Sequence, residues 1–399
     1  VAKKTTKQDE NTKKTPKTTT KKTEGNFFDD LLKKVGVEMP VAADVDLYSN
    51  ITFYDTGSYA LNAAISGSTS GGIASKVTAL AGEESTGKTY IALQIIKSFL
   101  AVHPKAHAFI FDSEDDPSKG VASLVERDID PKRVHIMRVR TIQEFRNSII
   151  RILNGYLETP AEKRLPMFMC LDSLGNLSTH KEVTTIDKEL VNEKGEDVAD
   201  MTRPKLIRGL FRVLSIKLGE AGVPLLITNH TYDSQSSYTP QKEMAGGGGL
   251  KYAASTIIFL SKSAYKEGDE INAKEKGREV IGVKLTAYIE KSRFTKNGKS
   301  IQLLLHHESG LDRYWGLFDL GLKRELIVKD GNFYTFPDGQ KGTRREIVYS
   351  PAKYFDSNAA AFDELCQKEF RFGKGEITPP NLEDEPEEEA EESVESAEN

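Results

Sequence analysis

The sequence predicts an α/β protein with a mostly parallel central sheet and a phosphate-binding loop, and three observations carry that expectation. Short apolar, partly β-branched runs alternate with amphipathic helical stretches between Lys76 and Ile289. Several of those runs end in polar residues: Asp112-Ser113-Glu114, Asp172-Ser173 and Asn229-His230. One run leads into GEESTGKT, Gly82 to Thr89, which satisfies G-x-x-x-x-G-K-[ST] at each fixed position.

Taken in order, Phe27 to Val35 has helical apolar spacing and stands alone before the core, as a small N-terminal oligomerisation segment within residues 26–50. A helix this short is marginal without a surface to pack on. Residues 50–80 read as a glycine- and serine-punctuated entry to the sheet. Lys76 to Ala81 suits a buried strand and Tyr90 to Ile96 a helix. Strands are expected at Ala106–Phe111, Pro166–Leu171, Val223–Thr228, Thr256–Leu260 and Gly282–Ile289, with helices at Ile142–Leu157 and Pro204–Gly219. Two long stretches interrupt the alternation, residues 177–201 and 231–249, the second ending in four consecutive glycines. Long irregular loops inside a compact domain are usually functional. The core is expected over 51–339, with a C-terminal extension at 340–375 whose place the pattern leaves open.

The net charge of −5 conceals two opposed ends. Val1 to Gly25 carries eight lysines against three acids, and Glu383 to Asn399 carries ten acids and no base. Neither has aromatic residues, so residues 1–25 and 376–399 are expected to be a disordered basic arm and a disordered acidic tail. An apolar run long enough for a bilayer is absent, and no signal-like segment opens the chain, so no membrane partner is expected. Cys170 and Cys366 are the only cysteines; Cys170 lies in an apolar strand pattern and reads as a buried small residue. A reducing cytoplasmic setting follows as an expectation, the host cytoplasm for a phage-encoded chain.

The glycine loop supplies the chemistry. Gly82 and Gly87 let backbone N–H groups curl round phosphate oxygens, and the following helix aims its positive end at the anion. Glu83, Glu84, Ser85, Thr86 and Tyr90 complete the cradle, Lys88 reaches the β- and γ-phosphates, and Thr89 ligates Mg²⁺. Asp172, ending an apolar strand 83 residues after Thr89, is the expected second metal-side group. Glu114 is a candidate to activate water, with Asp112, Asp115 and Asp116 as neighbouring competitors.

GEESTGKT, FDSE, LDSLGNLSTHKE, DMTRPKLIRGLFR, ITNHTY and GLFDLGLKRELI with GNFYTF together resemble the RecA-type recombinases, and among them the UvsX-like branch of T-even-type phages. The resemblance covers roughly Asp55 to Phe336. It implies an ATP- and Mg²⁺-using, DNA-dependent ATPase. It also implies a self-associated helical filament on single-stranded DNA that pairs with duplex DNA in recombination, repair and recombination-dependent replication. A single-strand-binding protein and a loading mediator are the implied partners. On this sequence it makes Glu114 the catalytic glutamate and His230 the γ-phosphate sensor where bacterial RecA has a glutamine. Lys291 and Arg293 become cations reaching across a subunit interface, and Tyr334 a tyrosine near the nucleotide. The two interrupted stretches become DNA loops. Arg203, Lys205 and Arg208 are then candidates for phosphate contacts, Tyr232 and Tyr238 for stacking, and Gly246, Gly247 and Gly248 for close backbone approach.

One departure stands out. The segment between Glu114 and Pro117 is short for the family, and Ser118-Lys119-Gly120 replaces its aromatic adenine platform. Two other classes stay open on the sequence: a RecA-fold replicative helicase, and a non-catalytic nucleotide-binding partner of a recombinase. Closed rings under the electron microscope identify the first, and hydrolysis indifferent to DNA the second.

Overall fold

In a computed structural model, residues 27–37, 39, 51–184, 202–233, 242–244, 246–269 and 277–373 are described. The basic arm, the acidic tail, most of the first loop and Tyr238 lie outside these residues. The chain divides into two compact units, Val1–Asn50 and Ile51–Asn399. In the first, helix α1 (Phe27–Val35) forms over the expected residues and leaves Phe28, Leu31 and Val35 exposed.

The second unit is organised round a ten-stranded sheet. Strand β1 (Phe53–Tyr54) and β2 (Ile73–Ala74) form a separate antiparallel pair that brackets helix α2 (Tyr59–Ser66). The main sheet then begins with β3 (Val77–Gly82), followed by α3 (Lys88–Val102), β4 (His107–Asp112), α4 (Val121–Glu126), β5 (Val134–Arg138) and α5 (Ile142–Glu158). Next come β6 (Met167–Asp172), α6 (Arg203–Ala221), β7 (Leu225–Asp233), β8 (Lys242–Met244), α7 (Gly247–Ala253), β9 (Thr256–Lys266), β10 (Val280–Ser292), β11 (Ser300–His306) and β12 (Gly310–Leu311). Their spatial order is β12-β11-β10-β9-β3-β7-β6-β4-β5, with β8 paired to β7. From β9 to β5 the strands run parallel, and β9 to β12 are antiparallel. This is the expected mostly parallel sheet.

The central strands are apolar throughout because both faces are covered. Phe168 and Cys170 point into one core with α2 and α3, while Met167, Met169 and Leu171 point into the other with α5 and α6. Cys170 is fully buried and free, and burial pushes its thiol pKa up, so it acts as the small apolar residue the pattern implied. Helix α5 begins with a capping box, Thr141 and Glu144 satisfying each other's backbone N–H groups.

The C-terminal stretch is not an appendage. Helix α8 (Leu317–Lys323), the small sheet β13 (Val328–Asp330), β14 (Phe333–Thr335) and β15 (Lys341–Thr343), and helices α9 (Arg344–Tyr349), α10 (Pro351–Phe355) and α11 (Ala359–Phe370) close one side of the first core. Phe355, Phe362 and Phe336 form an aromatic cluster there. Tyr334 belongs to the same layer, 8% exposed, its ring edge-on to Phe318 at 5.0 Å.

Glu369 of α11 fastens this layer, accepting hydrogen bonds from Lys299 at 2.7 Å and Arg324 at 2.6 Å. Burial raises a carboxyl pKa, but the two cations more than offset it and the Glu369 pKa is lowered. A depressed carboxylate contributes stability above its unfolded value of 4.5 and loses it as pH falls through the lower folded value. Glu369→Gln is therefore expected to destabilise the fold by about 1–2 kcal/mol near neutral pH, given partly exposed cations. Urea midpoints at unchanged m check this, and the gap from wild type should close below about pH 4.

Candidate nucleotide and phosphate site

Register puts the site at the carboxyl ends of the parallel strands, where open α/β sheets bind ligands. Gly82 lies beside His230 of β7 and Leu260 of β9, and Asp112 lies beside Asp172. A Cβ on Gly82 would stand 2.8 Å from the Leu260 carbonyl oxygen and 2.8 Å from Thr86 Oγ1, so glycine alone fits. Gly87 caps α3 at φ 78°, turning the loop into the helix. A cavity of about 350 Å³ opens over this turn, walled by Lys88, Thr89, Tyr90, Glu114, Arg127 and His230.

Each side chain has a defined hold. Lys88 is buried and donates to the carbonyls of Gly82 at 3.0 Å and Glu83 at 2.7 Å. Burial lowers its pKa, against the opposing pull of Glu114, Asp172 and Glu84. Thr89 Oγ1 donates to Asp172 Oδ2 at 2.9 Å, and Thr228 Oγ1 donates to Asp172 Oδ1. A hydroxyl and a carboxylate meeting at the end of a phosphate loop suit a hydrated Mg²⁺ bound chiefly through phosphates, which needs few protein ligands. Among the described residues no group of three or more His, Cys, Asp or Glu side chains forms an all-protein metal cage.

The four acids after β4 separate clearly. Asp112 accepts from Glu114 N at 3.1 Å and from Lys119. Asp115 pairs with Arg138 at 2.8 Å, and Asp116 caps a short turn through Ser118 N at 2.8 Å. Glu114 faces the cavity, its Oε1 3.1 Å from His230 Nε2 and accepting from Asn176 Nδ2 at 3.2 Å. The structure thus brings Lys88, Thr89, Asp172, Glu114 and His230 together.

Several partners escaped the sequence reading. Asn176 and Thr228 sit within quoted motifs but carry no recognisable spacing. Lys119 was visible only as a departure. Its Nζ lies 2.5 Å from Asp112 Oδ1 and 2.7 Å from Asp172 Oδ2, with the side chain 3% exposed. Burial pulls an ammonium pKa down, yet Asp172 and Asp112 win and the Lys119 pKa is raised. Arg127 lies over the Tyr90 ring at 5.1 Å, and Lys262 donates to the Ser85 carbonyl at 2.8 Å.

The remaining candidates lie elsewhere in the chain. Tyr334 is packed in the C-terminal layer and is not among the residues that line the phosphate-loop cavity of its own chain. Lys291 and Arg293 turn to the end of α7, donating to the carbonyls of Lys251 and Tyr252. Burial, Arg293 and Lys251 together lower the Lys291 pKa.

The second interrupted stretch is more regular than expected. β7 runs on to Asp233 and pairs with β8 as a hairpin whose tip lies outside the described residues. Lys242 of β8 reaches Glu83 of the phosphate loop at 2.5 Å, which lowers the Glu83 pKa. Tyr232 is 56% exposed on the hairpin.

The glycine run is not wholly loop either. Gly246 caps α7, and Gly247 and Gly248 form its first turn. Gly249 packs on α6, where a Cβ would stand 2.9 Å from Arg208 N and 3.0 Å from its Cα. Close helix packing is the reason for glycine at 249. Gly249→Val is expected to cost about 2 kcal/mol or more by forcing the helices apart, measurable as a lowered urea midpoint at unchanged m. Along α6, Lys205 and Arg208 are exposed, whereas Arg203 donates to the Gly175 carbonyl at 2.8 Å. The first stretch is described as far as Thr184, with Ser178 bridged to Thr141. No helix among the described residues is long and apolar enough to cross a membrane.

No family model matches the chain. It is 29% identical over 272 residues to the "Recombination and repair protein" of Enterobacteria phage T4, covering 68% of this chain and 64% of that protein. It is 24% identical over 325 residues to "DNA repair protein recA homolog 1, chloroplastic" of Arabidopsis thaliana, covering 79% and 65%. It is also 22% identical over 322 residues to "Protein RecA" of Bifidobacterium breve, covering 80% and 73%. The match therefore spans just under two thirds of the phage and chloroplast proteins' own lengths. The site holds a glycine loop between β3 and α3, a strand-end Asp172 bound to Thr89, and Glu114 beside His230, in a chain that is similar to recombination and repair proteins of the RecA type.

Proposed function

We propose that the chain is an ATP-dependent DNA recombinase that assembles as a filament on single-stranded DNA and promotes homologous pairing and strand exchange. The observation that carries this reading is the convergence of Lys88, Thr89, Asp172, Glu114 and His230 on one cavity, with the hairpin's Lys242 tied to the same loop through Glu83. The loop N–H groups and Lys88 bind the phosphates, Thr89 and Asp172 would hold the metal, and Glu114 orients the attacking water. Mg²⁺, when bound, neutralises charge developing on the transferring phosphoryl group. His230 passes the state of the phosphate to β7, which continues directly into the hairpin.

DNA contact is assigned to the exposed Lys205, Arg208 and Tyr232, together with the tip containing Tyr238. Lys291 and Arg293 are assigned to the γ-phosphate of a neighbouring subunit. The exposed apolar face of α1 is assigned to subunit docking. A single-strand-binding protein and a loading mediator fit as partners of such a filament. The test is ATP hydrolysis with and without single-stranded DNA, alongside electron microscopy. Strong stimulation with open filaments supports the reading. Indifference to DNA transfers it to a non-catalytic partner, and closed rings to a helicase.

A further inference from the structure

Lys119 is buried beside Asp172 and is not among the residues that line the phosphate-loop cavity. Two carboxylates, Asp112 and Asp172, share its ammonium, at 2.5 and 2.7 Å. The oxygen it takes on Asp172 is Oδ2, the one that also accepts from Thr89 Oγ1, while Thr228 occupies Oδ1. Asp172 therefore accepts from three donors within the protein, and its negative charge is shared with a fixed cation. A divalent ion relies on that same charge, and two cations bearing on one oxygen repel each other.

We infer that Lys119 is a resident counter-ion and a positioning residue that sets the Mg²⁺ requirement of nucleotide binding by competing for Asp172 Oδ2. Asp112 is the second seat that keeps the ammonium paired when Asp172 is drawn to the metal side. Lys119 closes the short turn Pro117–Lys119, and Asp116 and Ser118 of that turn wall the nucleotide cavity. Metal loading and the wall of the cavity are thereby mechanically joined. The inference rests on the Mg²⁺-nucleotide reading of the site.

The test is Mg²⁺ titration of fluorescent ATP-analogue binding to the full chain, without turnover as the readout. Lys119→Met removes the competitor and is expected to lower the half-saturating Mg²⁺ roughly tenfold, the order expected for one partly screened like charge. Asp112→Asn leaves the ammonium with Asp172 alone and is expected to raise it several-fold. Thermal unfolding in chelator reports whether each variant is folded, and Asp112→Asn carries the test if Lys119→Met is not. Half-saturation unmoved in the folded variants, or shifted opposite to these signs, overturns the inference. Wild type that binds the analogue indifferently to Mg²⁺ fails the site reading instead.

Discussion

Lys88→Ala is expected to reduce ATP turnover by at least about a thousandfold while leaving the fold intact. The ammonium is the one cation of the chain that the loop itself aims at the phosphates, and preorganised charge of this kind is commonly worth two to three powers of ten or more in turnover. The fold should survive because Lys88 stabilises it little. Its buried charge is satisfied by just two loop carbonyls, and burial drags its pKa down, the mark of a charge held at a cost. Alanine removes that cost and leaves two carbonyl oxygens next to an open cavity, where water replaces the lost donor. Near-normal hydrolysis in the variant would sink the assignment of the phosphate loop. Loss of turnover together with loss of the thermal transition would instead make Lys88 structural. The informative pair of measurements is therefore steady-state hydrolysis and thermal unfolding on the same preparation.

Much of this site was legible in the sequence because its logic is local. A glycine loop needs its fixed residues in one octet, and parallel strands place functional groups at their carboxyl ends whatever the intervening lengths. That is why Asp172 could be picked out, and Glu114 offered as one of four acids, far from the loop in sequence; the choice of Glu114 and the role of His230 came from the resemblance, and the three meet in space. Lys119 was not legible as a partner of Asp172, because a lysine in a polar turn ordinarily extends into water. Only the adjacent register of Asp112 and Asp172 creates a buried pair of charges that draws it inward. The C-terminal layer was equally opaque. Its aromatic residues lie on short helices with too few turns to show a period, and their partners, from Tyr54 to Phe318, are distant in sequence. The glycines at 246–249 admit two readings for a physical reason. Glycine serves both flexible backbone and close helix packing, and sequence alone does not say which.

On the proposed reading, Glu114 decides whether the chain hydrolyses what it binds. Its carboxylate has no strong cation of its own: Asn176 donates to one oxygen, and His230 stands at hydrogen-bond distance from the same one. Both contacts orient the group, as a base or a water-positioning acceptor requires. Asp112, Asp115 and Asp116 are each committed elsewhere, to Lys119, Arg138 and the Ser118 turn. Of the three only Asp116 also walls the cavity, and its Oδ1 is held by the Ser118 N–H. Glu114→Ala is accordingly expected to lower DNA-stimulated hydrolysis by about 10²- to 10⁴-fold, the range a positioned acid–base group contributes. Glu114→Gln keeps an oxygen for Asn176 and His230 and should be nearly as slow, since the shape is retained and the basicity is not. Nucleotide affinity should change little in either, because the phosphates are held by the loop and Lys88. A protein that binds ATP and cannot discharge it should also stay on single-stranded DNA, with dissociation slowed in proportion to the lost turnover. If the Gln variant hydrolyses ATP at the wild-type rate, Glu114 merely holds His230 in place. If it loses ATP binding along with hydrolysis, the carboxylate belongs to the binding site and the activating group must be sought among the carboxylates of a neighbouring subunit.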